Sequence, residues 1–391
     1  MKEVVILSAV RTAVGKFGGA LTETPVTDLG AAVIGESIKR ARIEPSSIQE
    51  CIMGICLPAG AGQNPTRQAA VKAGLPMEIG ALNINKLCGS GLKAVMIAAN
   101  AIRSEEHDVV VAGGMENMSA APYLLKKARW GYRLNDGKLI DHLIHDGLYD
   151  SIAGMLMGIT GEIVAERYHV TREEADILSY QSHMKALAAT NNGDFDAEIV
   201  PFKVKGKRES VDLKVDEGIR PEISVESLGK LKPYFKEGGV VTAGNSSQIS
   251  DGAAAVVIAS REFADRHGIE PMATIVDYNT GGVKPEHIME APIQTVRALL
   301  MKTKMKIDDI DLFEHNEAFA TASVAVKREL GVPDDRFNVH GGAVALGHPI
   351  GCSGARVLTT LLHAMKGRDA RTGLATICLG GGNAVAMIVK R

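Results

Sequence analysis

Short apolar runs rich in Val and Ile punctuate this chain, and longer amphipathic stretches separate them. Residues 4–7, 109–112 and 254–259 are continuous apolar runs, and 375–379 is broken only by Thr376, the signature of strands buried on both faces. With helical stretches between them, they predict layered α/β architecture. The pattern also recurs. Residues 81–85 lead to Cys88-Gly89-Ser90-Gly91, then a helical stretch 92–103, then strand 109–112 ending in Gly113-Gly114. Later, residues 336–339 lead to Gly351-Cys352-Ser353-Gly354, then a helical stretch 355–365, then strand 375–379 ending in Gly380-Gly381-Gly382. The shared order of strand, Ser-Gly turn, helix, strand and Gly-rich turn predicts a duplication. Cys88 falls opposite Gly351, so the halves carry different chemistry.

The halves are divided here as 1–118 plus 250–270 and 271–391, with residues 119–249 inserted between them. The insertion holds polar segments such as the basic run 203–208, which reads either as part of a substrate-binding element or as a solvated face. Residues 4–10 read as a strand rather than a leader, because the apolar run stops at Arg11. No apolar run approaches the ~18 residues of a membrane span. The expectation is a cytoplasmic protein without membrane contact.

Composition narrows the classes. Of 391 residues, 46% are hydrophobic and 23% charged, which suits a globular protein and excludes a disordered one. A net charge of −2 argues against a nucleic-acid partner. Five Cys spread over this length do not form a disulfide framework, and Cys51 and Cys56 lack the neighbours of a zinc site. The Gly-rich turns match neither a phosphate-binding loop nor a dinucleotide fingerprint.

Four positions combine reactive side chains with glycine turns. Cys88 precedes a helix, where the dipole and free N–H groups would favour the thiolate; a small buried hydrophobe is the alternative. His348, in Gly347-His348-Pro349, sits on what reads as a fixed, exposed turn, suited to a general base or to a structural hydrogen bond. Cys378 ends a buried strand before Gly380-Gly381-Gly382, whose N–H groups suit an oxyanion, though such a Cys is also ordinary core. Asn316 follows an expected strand at 310–313 and reads either as a site residue or as a helix N-cap.

Taken in order, the motifs resemble the thiolase family nearly end to end. They are residues 10–19, Asn85-Lys86-Leu87-Cys88-Gly89-Ser90-Gly91, Gly113-Gly114-Met115-Glu116-Asn117-Met118-Ser119, Thr242-Ala243-Gly244-Asn245-Ser246-Ser247, Asn316-Glu317-Ala318-Phe319, Gly347-His348-Pro349-Ile350-Gly351 and Cys378-Leu379-Gly380-Gly381-Gly382. The resemblance implies a duplicated five-layer α-β-α-β-α architecture with an inserted loop domain for CoA binding and oligomer contacts. It implies condensation or cleavage between two acyl-CoA units. Cys88 would carry the acyl group as a thioester, with ping-pong kinetics. His348 would take the proton of Cys88, and Cys378 would take the α-proton of the second acetyl-CoA. Asn316 would hold a water in an oxyanion hole shared with His348, and the N–H groups of Cys88 and Gly380 would form a second hole. Each such donor is worth roughly 3 kcal/mol at the transition state.

By the same resemblance Met157, Arg220, Ser247, Ala318 and Phe319 would line the CoA tunnel. No cofactor is implied, since CoA is substrate and product. The partners are acetyl-CoA, acetoacetyl-CoA and CoA, with a homotetramer or dimer expected. The chain departs from the family pattern at Leu156, at Asn383-Ala384, at Met289-Glu290-Ala291-Pro292 and at His340. Arg129-Trp130-Gly131-Tyr132 resembles the short-chain branch. Acetyl-CoA acetyltransferase chemistry is therefore the leading expectation. A degradative 3-ketoacyl-CoA thiolase and a non-catalytic CoA-binding member of the fold are the alternatives.

Overall fold

The structure, a computed structural model of the chain, describes residues 2–205 and 209–391. Nine strands build its framework: β1 Val4–Thr12, β2 Glu50–Gly54, β3 Gly80–Ile84, β4 Val109–Asn117, β5 Ser250–Ser260, β6 Ala273–Gly282, β7 Leu312–His315, β8 Thr372–Leu379 and β9 Asn383–Lys390. Eight helices frame them: α1 Val26–Ala41, α2 Pro65–Lys72, α3 Ser90–Arg103, α4 Met157–Arg167, α5 Arg172–Asn192, α6 Ala291–Thr303, α7 Ala320–Leu330 and α8 Ile350–Gly367.

The duplication is visible in strand order. The first half runs β3–β2–β4–β5–β1 and the second β7–β8–β9–β6. In the first half β2 and β4 pair in parallel while β4, β5 and β1 pair antiparallel; in the second β7 and β8 pair in parallel while β8, β9 and β6 pair antiparallel. The two halves meet where β1 and β6 pair at Val5↔Thr274 and Ile6↔Ala273.

The period-2 alternation of the strands sorts their side chains into layers. On β4, Val109 and Val111 pack outward against α1 and α2, whereas Val110 and Ala112 pack inward against α3. On the other half, Leu374, Ala386 and Ile388 pack outward with α6 and α7, and Ala375, Ile377 and Met387 inward with α8. The result is five layers, with α3 and α8 sandwiched between two sheet halves. These central helices cross through glycine. A Cβ at Gly91 would lie 2.6 Å from Ala355 N, and one at Gly354 would lie 2.4 Å from Leu92 N. Gly91 and Gly354 occupy equivalent places in the repeat, so the crossing brings both Ser-Gly pairs to one point.

Two sequence expectations need correction. Residues 336–339 form no strand; a single parallel bridge, Phe313↔Phe337, stands in its place. Asn338 has φ +42° and uses its side chain as a ladder partner, accepting from His315 N at 2.8 Å and donating to His315 O at 3.0 Å. The helix expected over 355–365 begins at Ile350, since Gly351 and Gly354 serve close backbone approach within a helix rather than a turn.

Between β4 and β5 lie α4, α5 and short hairpins. Helix α5 opens with a capping box between Thr171 and Glu174. The hairpin Tyr123–Leu125 with Leu139–Asp141 carries the segment 129–132, where Trp130 is 82% exposed. Of the basic run 203–208, Lys203, Val204 and Lys205 lie on strand Phe202–Lys205, and 206–208 lie outside the described residues. Among the described residues no helix is long and apolar enough to cross a membrane.

Candidate active site

Cys88 sits on the turn between β3 and α3. The turn is tight: Leu87 has φ +48°, and Ser90 closes it by accepting from Lys86 N at 2.8 Å and donating to Leu87 O at 2.6 Å. The Cys88 thiol is pushed up to about 12. Burial raises it, and the backbone N–H groups of Cys88 and Gly380, which face the sulfur, oppose that rise. The thiolate character expected from a helix N-terminus is therefore absent in the unliganded protein. Desolvation outweighs the N–H groups.

His348 corrects a second expectation, for it is buried rather than exposed. Its surroundings define its tautomer. Ser353 Oγ donates its only hydrogen to Pro349 O at 2.8 Å, so it accepts from His348 Nδ1–H at 2.5 Å. The Nε2 lone pair then faces the amide of Asn316, whose Nδ2 lies 3.4 Å away. Burial, helped by the positive charge of Arg356, lowers the imidazole to about 3, so the ring is neutral. Asn316 is no helix cap: α7 starts at Ala320, and its N-cap is Phe319. Buried Asn316 Oδ1 has no hydrogen-bond partner among the described residues.

Cys378 ends β8, buried, with its Sγ 3.9 Å from Met289 Sδ. Burial raises its thiol strongly, and the charge of Cys88 raises it further, which places the two sulfurs in one neighbourhood. Gly380 and Gly381 line a cavity of about 240 Å³ with Leu87, Cys88 and Met157. Asp150 pins this turn by accepting from Gly381 N at 2.9 Å, and from Ile152 N and Ala153 N at 2.8 and 3.0 Å.

A second, more apolar cavity of about 330 Å³ reaches His348. Met157, Ser247 and Phe319 are on its wall, as is Leu156, and Met157 also lines the first cavity. Ala318 lies behind the wall, its carbonyl accepting from Ser247 N at 3.0 Å. Arg220 is exposed and outside both linings; its backbone N–H donates to His183 Nδ1 at 3.1 Å. Asn383 accepts from Lys86 Nζ at 3.1 Å, beside the Cys88 turn.

Sequence reasoning missed several residues that hold this site. Ser353 was visible only as a repeat partner of Ser90. Asp150 carried no signal. Glu116 stood in a recognised motif without a role, yet its buried carboxylate accepts from Cys56 N, Leu57 N and Gly351 N at 2.9, 3.1 and 2.8 Å. It thereby ties the end of β2 to the start of α8. Burial raises its acid to about 7.

Two neighbouring sulfurs, one of them with backbone donors at one cavity, and a neutral imidazole on the wall of a second that shares Met157, suit acyl transfer. The model described as "Thiolase, N-terminal domain" matches residues 4–262, and "Thiolase, C-terminal domain" matches residues 269–391. The chain belongs to the thiolase family and is an acyltransferase. It is 50% identical over 392 residues to an acetyl-CoA acetyltransferase of Cupriavidus necator, covering 100% of both chains. The crystal structure of the Bacillus anthracis acetyl-CoA acetyltransferase superposes with TM-score 0.97 at 42% identity, covering 100% of this chain and 99% of that one. The human mitochondrial 3-ketoacyl-CoA thiolase superposes with TM-score 0.97 at 36% identity, with the same coverage.

Proposed function

We propose that the chain is an acetyl-CoA C-acetyltransferase, catalysing the reversible condensation of two acetyl-CoA to acetoacetyl-CoA and CoA by a ping-pong route. The observation that carries this reading is the Cys88 sulfur, faced by the N–H groups of Cys88 and Gly380 and close enough to Cys378 to raise its thiol. His348 Nε2 takes the Cys88 proton as the sulfur attacks the first acetyl carbonyl. The oxyanion forms against the two N–H groups. The carbon–sulfur bond to CoA breaks, and CoA leaves with the proton of Cys378. The Cys378 thiolate then takes the α-proton of a second acetyl-CoA, whose thioester oxygen is polarised by His348 and a water held by Asn316. The carbanion attacks the Cys88 thioester, acetoacetyl-CoA forms, and Cys88 recovers its proton from His348. Splitting the reaction preserves thioester activation in both halves.

Met157, Ser247 and Phe319 on the cavity wall, with Ala318 behind it, support binding of the pantetheine arm of CoA. Arg220 serves the exposed adenine end. No further cofactor enters, since CoA is both substrate and product. We assign the division into 1–118 plus 250–270, 119–249 and 271–391 to two catalytic halves and an insertion. The exposed hairpin around Trp130 provides homo-oligomer contacts, as a tetramer or dimer, in the cytoplasm.

A second reading, a degradative thiolase of broader chain length, draws on Leu156 in the cavity wall and Met289 beside Cys378. CoA-dependent cleavage of 3-ketoacyl-CoA substrates of increasing length, with Cys88→Ala as control, separates the two. Activity highest at acetoacetyl-CoA supports the first and activity rising with length the second. No cleavage at any length refutes both and leaves a CoA-binding role.

A further inference from the structure

One turn beyond Ser353, α8 carries Arg356, a fully buried arginine. Among the described residues none lies within hydrogen-bond reach of its Nε, Nη1 or Nη2. Both oxygens of buried Glu314, at the facing end of β7, are likewise without a partner, as are Glu198 Oε2 and Thr359 Oγ1. These groups are close enough to act on one another electrostatically. The charged groups acting on Arg356 are Glu314 from β7, Arg11 from β1 and Glu198 from the segment after α5, with the Cys352 thiol from α8 itself. Those acting on Glu314 add Glu317 and, from α5, Lys185.

A buried guanidinium with all its N–H groups unsatisfied is far too costly to persist. Direct pairing does not relieve it here, although the Glu314 carboxyl group stands nearby. The neighbour Arg11 shows the contrast: it is also fully buried, but it binds Glu198 at 2.5 Å and Asp216 at 2.7 and 3.0 Å. Waters with two to four polar partners each are the ordinary solution for such a site. An ion fits less well. Arg11, Arg356 and Lys185 already face Glu198, Asp216 and Glu317, and Glu314 is pushed up to about 8 by burial, so it is mostly protonated at neutral pH.

We propose that Arg356 is a positioning residue for His348, held charged in the core by a closed cluster of internal waters shared with Glu314, Glu198 and Thr359. Its charge disfavours a second proton on the imidazole. Its place on α8 also couples that hydrated cluster to Ser353, which holds Nδ1. The proton that His348 takes from Cys88 is thereby kept ready for return. This inference rests on the proposed role of His348, but its test has readouts besides activity.

The imidazole of His348 is titrated by NMR in histidine-labelled native protein, Arg356→Met and Arg356→Lys. Arg356→Met should raise its pKa by about one unit, by loss of a like charge nearby. Arg356→Lys should stay close to native, and the acid limb of thiolysis should follow the same order. Equal titration in all three variants overturns the positioning role. A high-resolution crystal structure of the native protein tests the waters even if a variant fails to fold. Ordered waters bridging Arg356 and Glu314 are expected, and a dry, directly paired Arg356 overturns the proposal. If the titration shifts while native thiolysis is absent, the functional reading fails and the electrostatic one stands.

Discussion

The two halves share a strand order and a Ser-Gly pair in the first turn of a central helix, yet they use that pair differently. In the first half Ser90 closes the backbone turn that presents Cys88, bonding Lys86 N and Leu87 O. In the second half the equivalent Ser353 bonds Pro349 O and turns its remaining acceptor to the His348 ring. One scaffold position thus shapes a backbone in one half and selects a tautomer in the other. The third strand differs as well. It is intact as β3 in the first half and reduced to one bridge in the second, where Asn338 side-chain bonds replace it. Duplication supplied two similar cradles. The first contributes a single sulfur, and the second contributes Asn316, His348 and Cys378.

The sharpest test removes one sulfur from each half. Cys88→Ala and Cys378→Ala should each lower thiolysis of acetoacetyl-CoA by at least about 10³-fold. Only Cys378→Ala should still take up one acetyl group from acetyl-CoA, read by intact-protein mass spectrometry. Acetylation lost in both variants would erase the assigned division of labour.

A smaller effect is expected at the turn after β8. Asp150→Ala frees Gly381 N and loosens the Gly380 donor, so kcat should fall roughly 10- to 100-fold, short of complete loss of one oxyanion donor. Steady-state kinetics with acetoacetyl-CoA measure it, and an unchanged kcat would show that the pin is dispensable.

The two serines come next. Ser353→Ala should lower kcat/KM about tenfold, as the imidazole loses its tautomer partner. Ser90→Ala should mainly lower stability, by about 1 kcal/mol for a lost hydrogen bond. Denaturant unfolding alongside kinetics separates the two effects. Equal kinetic losses would dissolve the contrast drawn between the halves.

The smallest effect concerns Glu116, which joins both halves. Its acid is raised from an ordinary 4.5 to about 7, so the folded state binds the proton more tightly than the unfolded chain. The stability it contributes is complete below the unfolded value and is lost as pH rises through the folded one. Glu116→Gln removes this dependence. The Tm difference between native protein and variant should shrink from about pH 5 to about pH 8. A constant difference would mean that Glu116 does not titrate across that range.

What local pattern encodes was legible without coordinates. Continuous apolar runs gave the buried strands, because a strand covered on both faces has no polar position to spare. The repeated Ser-Gly turn announced the duplication, and the glycines at 91 and 354 followed from it, since only they let α3 and α8 touch. Cys88, His348, Cys378, Asn316 and Gly380 were each visible as reactive or backbone-exposing residues in glycine-rich turns. Their common location was not, for sequence distance says nothing about which turns meet.

Tertiary structure also decided the charge states. A helix N-terminus by itself favours a thiolate at Cys88, but desolvation of its half-buried sulfur reverses that preference in the unliganded protein. Burial likewise keeps the His348 imidazole neutral, where the sequence pattern reads as an exposed turn. Asp150, Ser353 and Arg356 act through neighbours that only the fold supplies. The sequence by itself determined which groups were available and which backbone could hold them. Only the tertiary structure decided which of them lost water, and in this site desolvation sets the chemistry.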